Sequence, residues 1–199
     1  MDIYKSSRLD NLKYEIRGPV YEKAIALQNQ GYKITSLNIG NPAAFGFETP
    51  DEIVHDIIVN IRQAQGYVDS RGLFAARKAV MHYYQNQGVK NIMIEDIYIG
   101  NGVSELISLV LTALLNTDDE VLIPSPDYPL WTTVVGLAGG KAVHYKCDED
   151  ADWNPSISDI EAKITSKTKA LVIINPNNPT GSYLTAKEIE DFLMAVPSN

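Results

Sequence analysis

The sequence holds a single cysteine, Cys147, so no internal disulfide can staple it. Its three histidines, His55, His82 and His144, are scattered without the spacing of a ligand set, and no metal site is expected. No window approaches the roughly 18 unbroken apolar residues of a membrane span. The first residues, MDIYKSSRLDNLKYEIRGP, also lack the apolar core of a signal peptide. Both Asn-x-Ser/Thr triplets, at Asn154 and Asn178, carry proline in the middle and cannot be glycosylated. Basic charge is in deficit, with 17 Lys and Arg against 25 Asp and Glu and a net charge of -8, and the basic residues are dispersed. A nucleic-acid footprint needs the opposite pattern. These absences lead to the expectation of a cytoplasmic protein with neither nucleic-acid nor membrane partners.

What is present is the material of a globular chain: 199 residues, 45% hydrophobic and 21% charged, with no repeat and no low-complexity tract. A polar arm precedes a helix expected over 19–30, with proline in its first turn and Gly31 past its end. The stretch KITSLNIGNP reads as a short strand entering a turn at Gly40, Asn41 and Pro42. Thr49 and Glu52 have capping-box spacing around Pro50, and Ile53, Val54, Ile57, Ile58 and Ile61 recur at helical period. A further helix is expected in LFAARKAVMHYYQNQG, closed by Gly88.

From Glu95 onward the order becomes strand, turn, helix, strand. Apolar runs at 97–99, 121–123 and 171–174 are short, β-branched and not alternating, as in strands covered on both faces of a largely parallel sheet. Ser158 with Glu161, and Thr185 with Glu188, have the spacing of capping boxes for two more helices. The expected fold class is α/β, a three-layer α/β/α sandwich with the site at the carboxyl ends of the strands. The chain stops after FLMAVPSN, where another strand is due, so the sheet is expected to be unfinished.

Three segments have the chemistry of a site. Gly100-Asn101-Gly102 stands between a strand and the helix VSELISLVLTALL, where free backbone N–H groups, the helix dipole and the Ser104 hydroxyl suit a phosphate. Glu105 replaces the third glycine of a dinucleotide fingerprint, and an ordinary tight turn explains the glycines equally well. In PSPDYPLW three prolines stiffen the chain around Tyr128, which suits a ring waiting for a flat partner or a ring packed into its own loop. The most constrained segment is VIINPNNPTGSYL. Its β-branched strand ends in Asn175-Pro176-Asn177-Asn178-Pro179-Thr180-Gly181, where two prolines fix φ and leave polar amides at the strand end. A stop signal needs only one such residue, so Asn178, between rigid neighbours, is the candidate donor to a ligand oxygen.

NPNNPTG, IGNGVSEL, PSPDYPLW and the Tyr67-x4-Gly72-Leu73 pattern occur in an order that closely resembles the class I/II aminotransferases of pyridoxal-phosphate fold type I. LNIGNPAAFGF, YVDSRGLFAARKAV and DIYIGNGVSELI are most similar to the alanine (glutamate-pyruvate) aminotransferase branch, whereas SYLTAKEIEDFLMAVPSN is also similar to histidinol-phosphate aminotransferases.

The resemblance implies pyridoxal 5'-phosphate as cofactor and transamination between an amino acid, alanine first, and 2-oxoglutarate. A larger or phosphorylated donor, or a non-catalytic truncated module, is the alternative. It implies that Val103 and Ser104 hold the cofactor phosphate, Tyr128 stacks on the ring and Asn178 hydrogen-bonds its phenolic oxygen. Gly40 and Asn178 would meet the substrate carboxylate, with Arg17 and Tyr14 at the cleft mouth. Tyr67 would reach a neighbour's phosphate across a homodimer interface. Residues 1–45 would be an arm and small-domain segment, and 46–199 a partial cofactor-binding large domain. Such enzymes are much longer, so the chain is expected to match an amino-terminal half that holds no catalytic residue of its own, with the Schiff-base lysine beyond Asn199.

Overall fold

The computed structural model describes residues 3–10, 18–37 and 39–195. Contacts divide the chain into two units, Val20–Gly100 and a second formed by Met1–Pro19 with Asn101–Asn199.

The Val20–Gly100 unit is helical. Helix α1 spans Pro19–Asn29, α2 spans Asp51–Asn60 and α3 spans Phe74–Asn86. The box expected at Thr49 does not form. Helix α2 starts one residue later than that box requires, with Pro50 as its N-cap and no capping side chain. The Pro50 carbonyl instead accepts the Ile53 and Val54 N–H groups at 3.0 and 3.2 Å. Thr49 therefore stands one position too early to reach the first turn. Asp51 and Glu52 still favour the helix through its positive end.

Helix α3 ends as its glycine suggests. Gly88, at φ +89°, donates its N–H to the Gln85 carbonyl, and Val89 donates to Tyr84 across the last turn, the paired bonds of a Schellman motif. The two strands expected in this unit do not form among its described residues. Residues 33–37 and 97–99 join no ladder, although Ile97 is buried and the Ile99 N–H donates to the Arg71 carbonyl at 2.8 Å. β-branched residues favour extended backbone, but a strand also needs a neighbouring strand to satisfy its N–H and C=O groups, and the described residues of the unit offer none.

The second unit is a sheet between two helical layers. In chain order it contains α4 (Val103–Leu114), β1 (Glu120–Ser125), α5 (Leu130–Leu137), β2 (Lys141–Asp148), β3 (Asn154–Pro155), α6 (Ile157–Lys163), β4 (Thr168–Leu171) and α7 (Ala186–Ala195). The strand order is β3-β2-β1-β4, with β1 parallel to both β2 and β4 and only β3 antiparallel.

Residues of β1 alternate between two cores. Val121 and Ile123 face one core with Ile107 and Leu111 of α4, Val134 and Val135 of α5, Leu115 and Val172. Leu122 faces the other with Tyr145 and Cys147 of β2, Ile160 of α6 and Phe192 of α7. That is the expected α/β/α layering. The strand β1 reads as an unbroken apolar run because both faces are covered. Helices α5 and α6 lie on opposite faces while β2 and β4 lie on opposite sides of β1, as crossovers of one hand require.

Two elements escape a pattern search. Strand β2 buries only Tyr145 and Cys147 deeply and turns Lys141, His144 and Lys146 outward, so it carries no continuous apolar run. Helix α5 has eight residues, including Gly136 and four β-branched residues, and depends on burial of Val134 and Val135 rather than on propensity. The cap of α6 is also shifted. Ser156 is the N-cap and accepts the Asp159 N–H at 3.3 Å, so Ser158 falls inside the first turn and its expected pairing with Glu161 is not made. The box at Thr185 does form, with the Thr185 N–H donating to Glu188 at 2.8 Å and the Glu188 N–H to the Thr185 hydroxyl at 3.3 Å. Among the described residues no helix is long and apolar enough to cross a membrane.

Candidate functional site

Helix α4 packs on β1 and joins it through a short connection, so it runs antiparallel to the strand. Its amino end therefore lies at the carboxyl end of β1, beside the loops that follow β1 and β4. By this topology Val103 and Ser104, the Tyr128 loop and the Asn178 loop all fall at the carboxyl end of the sheet.

Gly102 is the N-cap of α4 at φ +79°, and no side chain caps the first turn. A helix leaves its first N–H groups without internal partners, so the backbone around Val103 and Ser104 offers donors and a positive dipole end. Val103 and Ser104 are exposed, and nothing lies within 4 Å of where a Gly102 side chain would begin. The acidic neighbour Glu105 turns back and accepts the Asn101 N–H. These features fit an anion, a phosphate in particular.

Tyr128 is half-buried, resting on the core under α4 and α5, and its carbonyl accepts the Trp131 N–H at 3.1 Å as α5 begins. Burial raises the Asp127 carboxyl above its ordinary range, against the Thr132 hydroxyl that donates to it at 3.1 Å. The same hydroxyl lies 2.9 Å from His144 Nε2, so Asp127, Thr132 and His144 tie this loop to β2. None of these three residues has a pattern that would have singled it out in the sequence.

The loop after β4 is closed by its own asparagines. Asn175 Oδ1 accepts the Leu184 N–H at 2.9 Å. Deeper in, the Asn177 N–H donates to the Ser182 carbonyl and the Gly181 N–H to the Asn177 carbonyl, both at 2.7 Å. The Asn177 side chain is buried, at 8% exposure, whereas Asn178 beside it is exposed. Asn177 Nδ2 donates to Thr180 Oγ1 at 2.9 Å and lies 3.4 Å from the Pro126 carbonyl in the Tyr128 loop, while its Oδ1 has no partner. The prolines, lacking N–H groups, make no demand on this network. Asn178 is left free at the surface of a loop whose conformation is held by its neighbours.

The remaining candidates stand elsewhere. Gly40 and Tyr67 belong to the Val20–Gly100 unit, and both are exposed, Tyr67 completely. Tyr14 and Arg17 lie outside the described residues.

Comparison with known proteins bears on this arrangement directly. The chain is 56% identical over 195 residues to the glutamate-pyruvate aminotransferase AlaA of Haemophilus influenzae, covering 98% of this chain and 48% of that protein. It is 56% identical to the alanine aminotransferase of Mycobacterium tuberculosis, covering 92% of this chain and 43% of that protein. The chain thus spans about half the length of the curated relatives it matches. Among solved structures, an aminotransferase from Escherichia coli superposes with a TM-score of 0.90 at 56% identity, over 98% of this chain and 48% of its own. An alanine aminotransferase from Pyrococcus furiosus gives 0.88 at 39% identity, over 96% and 49%. The family model for aminotransferase class I and II matches residues 32–199, and the chain belongs to that family.

Proposed function

We propose that the protein carrying this chain is a pyridoxal-phosphate-dependent aminotransferase that exchanges an amino group between alanine and 2-oxoglutarate. The observation that supports the reading is that three kinds of group fall at the carboxyl end of one sheet by its topology: an uncapped helix terminus, a half-buried tyrosine and an exposed, rigidly framed asparagine amide. Relatives named glutamate-pyruvate and alanine aminotransferase support the choice of amino donor.

In this reading the backbone at Val103 and the Ser104 hydroxyl bind the cofactor phosphate, where a fixed charge meets a helix terminus without further cost of orientation. Tyr128 lies against one face of the ring, and its packed base limits the entropy lost on stacking. Asn178 donates from Nδ2 to the ring's phenolic oxygen and holds negative charge there, and it also lies near the substrate carboxylate. Bound pyridoxal phosphate supplies the electron sink for the amino-group exchange, while the protein orients it. Gly40 would offer its backbone to the substrate carboxylate, Arg17 and Tyr14 would shape the pocket, and Tyr67 would reach the phosphate of a second subunit in a homodimer. Residues 1–45 would form the arm and small-domain segment and 46–199 part of the cofactor-binding domain. The lysine that binds the cofactor covalently is expected outside this chain.

The test uses the protein expressed from its complete coding sequence. Release of pyruvate from alanine and 2-oxoglutarate, with a visible absorption band from bound cofactor, is the expected result. A protein without that band refutes the reading. A protein with the band but a higher kcat/KM for a larger or phosphorylated donor corrects the substrate alone.

A further inference from the structure

We infer that Asn177, rather than the prolines alone, is the positioning residue that presents Asn178, and that it couples the Asn178 loop to the Tyr128 loop. This rests on the proposed cofactor site, in which those two loops face the same ring.

Asn177 is held at every polar position but one. Its N–H and C=O pair with Ser182 and Gly181 at 2.7 Å, closing the turn that contains Asn178. Its Nδ2 continues into a chain of hydroxyls: Asn177 donates to Thr180 Oγ1 at 2.9 Å, Thr180 lies 2.9 Å from Ser182 Oγ, and Ser182 donates to the Trp153 carbonyl at 3.4 Å. With Thr180 Oγ1 already accepting from Asn177, its single proton is available to Ser182, so the chain has one consistent direction. The contact to the Pro126 carbonyl, at 3.4 Å, crosses to the loop that carries Asp127 and Tyr128.

The exception is the buried, unpartnered Oδ1. An asparagine serving only for packing would be poorly suited here, because a leucine with the same branching and number of heavy atoms would bury no unpaired acceptor. The amide is retained at that cost, and its two donations are what it contributes. Both end on the loops that present Asn178 and Tyr128. Position is thus transmitted through Asn177 to residues that contact the cofactor, without Asn177 itself being a catalytic residue.

The test measures cofactor geometry and affinity, not only turnover, in the protein from its complete coding sequence. Asn177→Leu keeps the branching and removes both donations, while Asn177→Asp keeps the shape and Oδ1 and replaces the donor with an acceptor. Pyridoxal 5'-phosphate is titrated into the apoprotein, and visible-region circular dichroism follows the orientation of the bound ring. In both variants the dissociation constant should rise about tenfold, the ratio given by about 1.4 kcal/mol, and the visible band should change amplitude. The melting temperature of Asn177→Leu should stay near that of the parent, since loss of the unpaired acceptor offsets the lost donations. Unchanged affinity and an unchanged band in folded variants overturn the inference, as does a drop in melting temperature with both unchanged. Should Asn177→Leu not fold, Thr180→Val removes the acceptor of the shorter donation and carries the same expectations and the same refutation. A parent protein that binds no cofactor refutes the proposed function instead, which the parent titration alone reveals.

Discussion

Tyr145→Phe isolates one hydrogen bond that holds the carboxyl end of β4. The ring lies on β2 with 1% exposure, two strands from β4, and its hydroxyl reaches beneath β1 to donate to the Val172 carbonyl at 2.8 Å. Val172 also donates its N–H to Leu122 at 2.8 Å, so β4 continues from here directly toward Asn175 and the candidate site. Burial pushes the phenol's ionisation above its ordinary range, and the hydroxyl therefore donates at every pH at which the protein is handled. Phenylalanine keeps the edge-to-face contact with Phe192, whose ring centroid is 6.0 Å away, and removes only the hydroxyl. The loss of one buried hydrogen bond costs about 1–2 kcal/mol. At roughly 2–4 °C per kcal/mol for a chain of this size, melting should fall by about 2–8 °C. Tyr145→Ala, which also opens a cavity, should cost about 3–5 kcal/mol. Thermal unfolding of the parent and both variants, followed by far-ultraviolet circular dichroism, makes the measurement. A Tyr145→Phe protein that melts with the parent would show that this bond does not hold the strand end.

Two further predictions concern a cap and a carboxylate. Ser156→Ala should destabilise the protein by about 1 kcal/mol because Ser156 is the N-cap of α6, while Ser158→Ala should leave the urea midpoint unchanged; the reverse order would return the cap to Ser158. Burial raises Asp127 above its ordinary value of 3.8, so the folded protein binds its proton more tightly than the unfolded chain does and loses stability as pH rises through and above that value. The melting temperature of Asp127→Asn relative to the parent should therefore climb as pH is raised from 3.8 into the range above it. A difference that is flat with pH, or one that falls, would contradict the burial argument.

Sheet and site were legible to different degrees, for physical reasons visible in particular residues. Val121, Leu122 and Ile123 are buried on both faces, so their composition alone marks a central strand. Residues 97–99, Ile-Tyr-Ile, also favour extended backbone and form no ladder, because pairing is a property of a neighbour and not of the run itself. Strand β2 was hidden by its outward Lys141, His144 and Lys146, and α5 by residues that favour extended backbone. The helix ends were legible to within one or two residues. Gly88 closes α3 as its freedom at positive φ allows, but Thr49 and Ser158 each have cap spacing that the neighbouring turn does not use. The candidate site was legible where a motif combines rigidity with polarity, as in NPNNPTG. Asp127, Thr132 and His144 meet only through folding and left no such trace.

The sequence by itself determined the layered α/β class and the segments that reach the candidate site, because periodicity, glycine, proline and capping residues act over a few neighbouring positions, and the order of its motifs carried the resemblance to the family. It marked Asn178 as the candidate donor but gave no role to Asn177, an identical side chain on the adjacent residue. Only the tertiary structure decided that one is buried and holds the loop while the other is exposed. That choice follows from the Ser182 and Gly181 backbone bonds and from Thr180 and Pro126 lying within reach of one amide. Burial and hydrogen-bond partnership belong to the folded arrangement, so equal residues in a sequence acquire unequal roles.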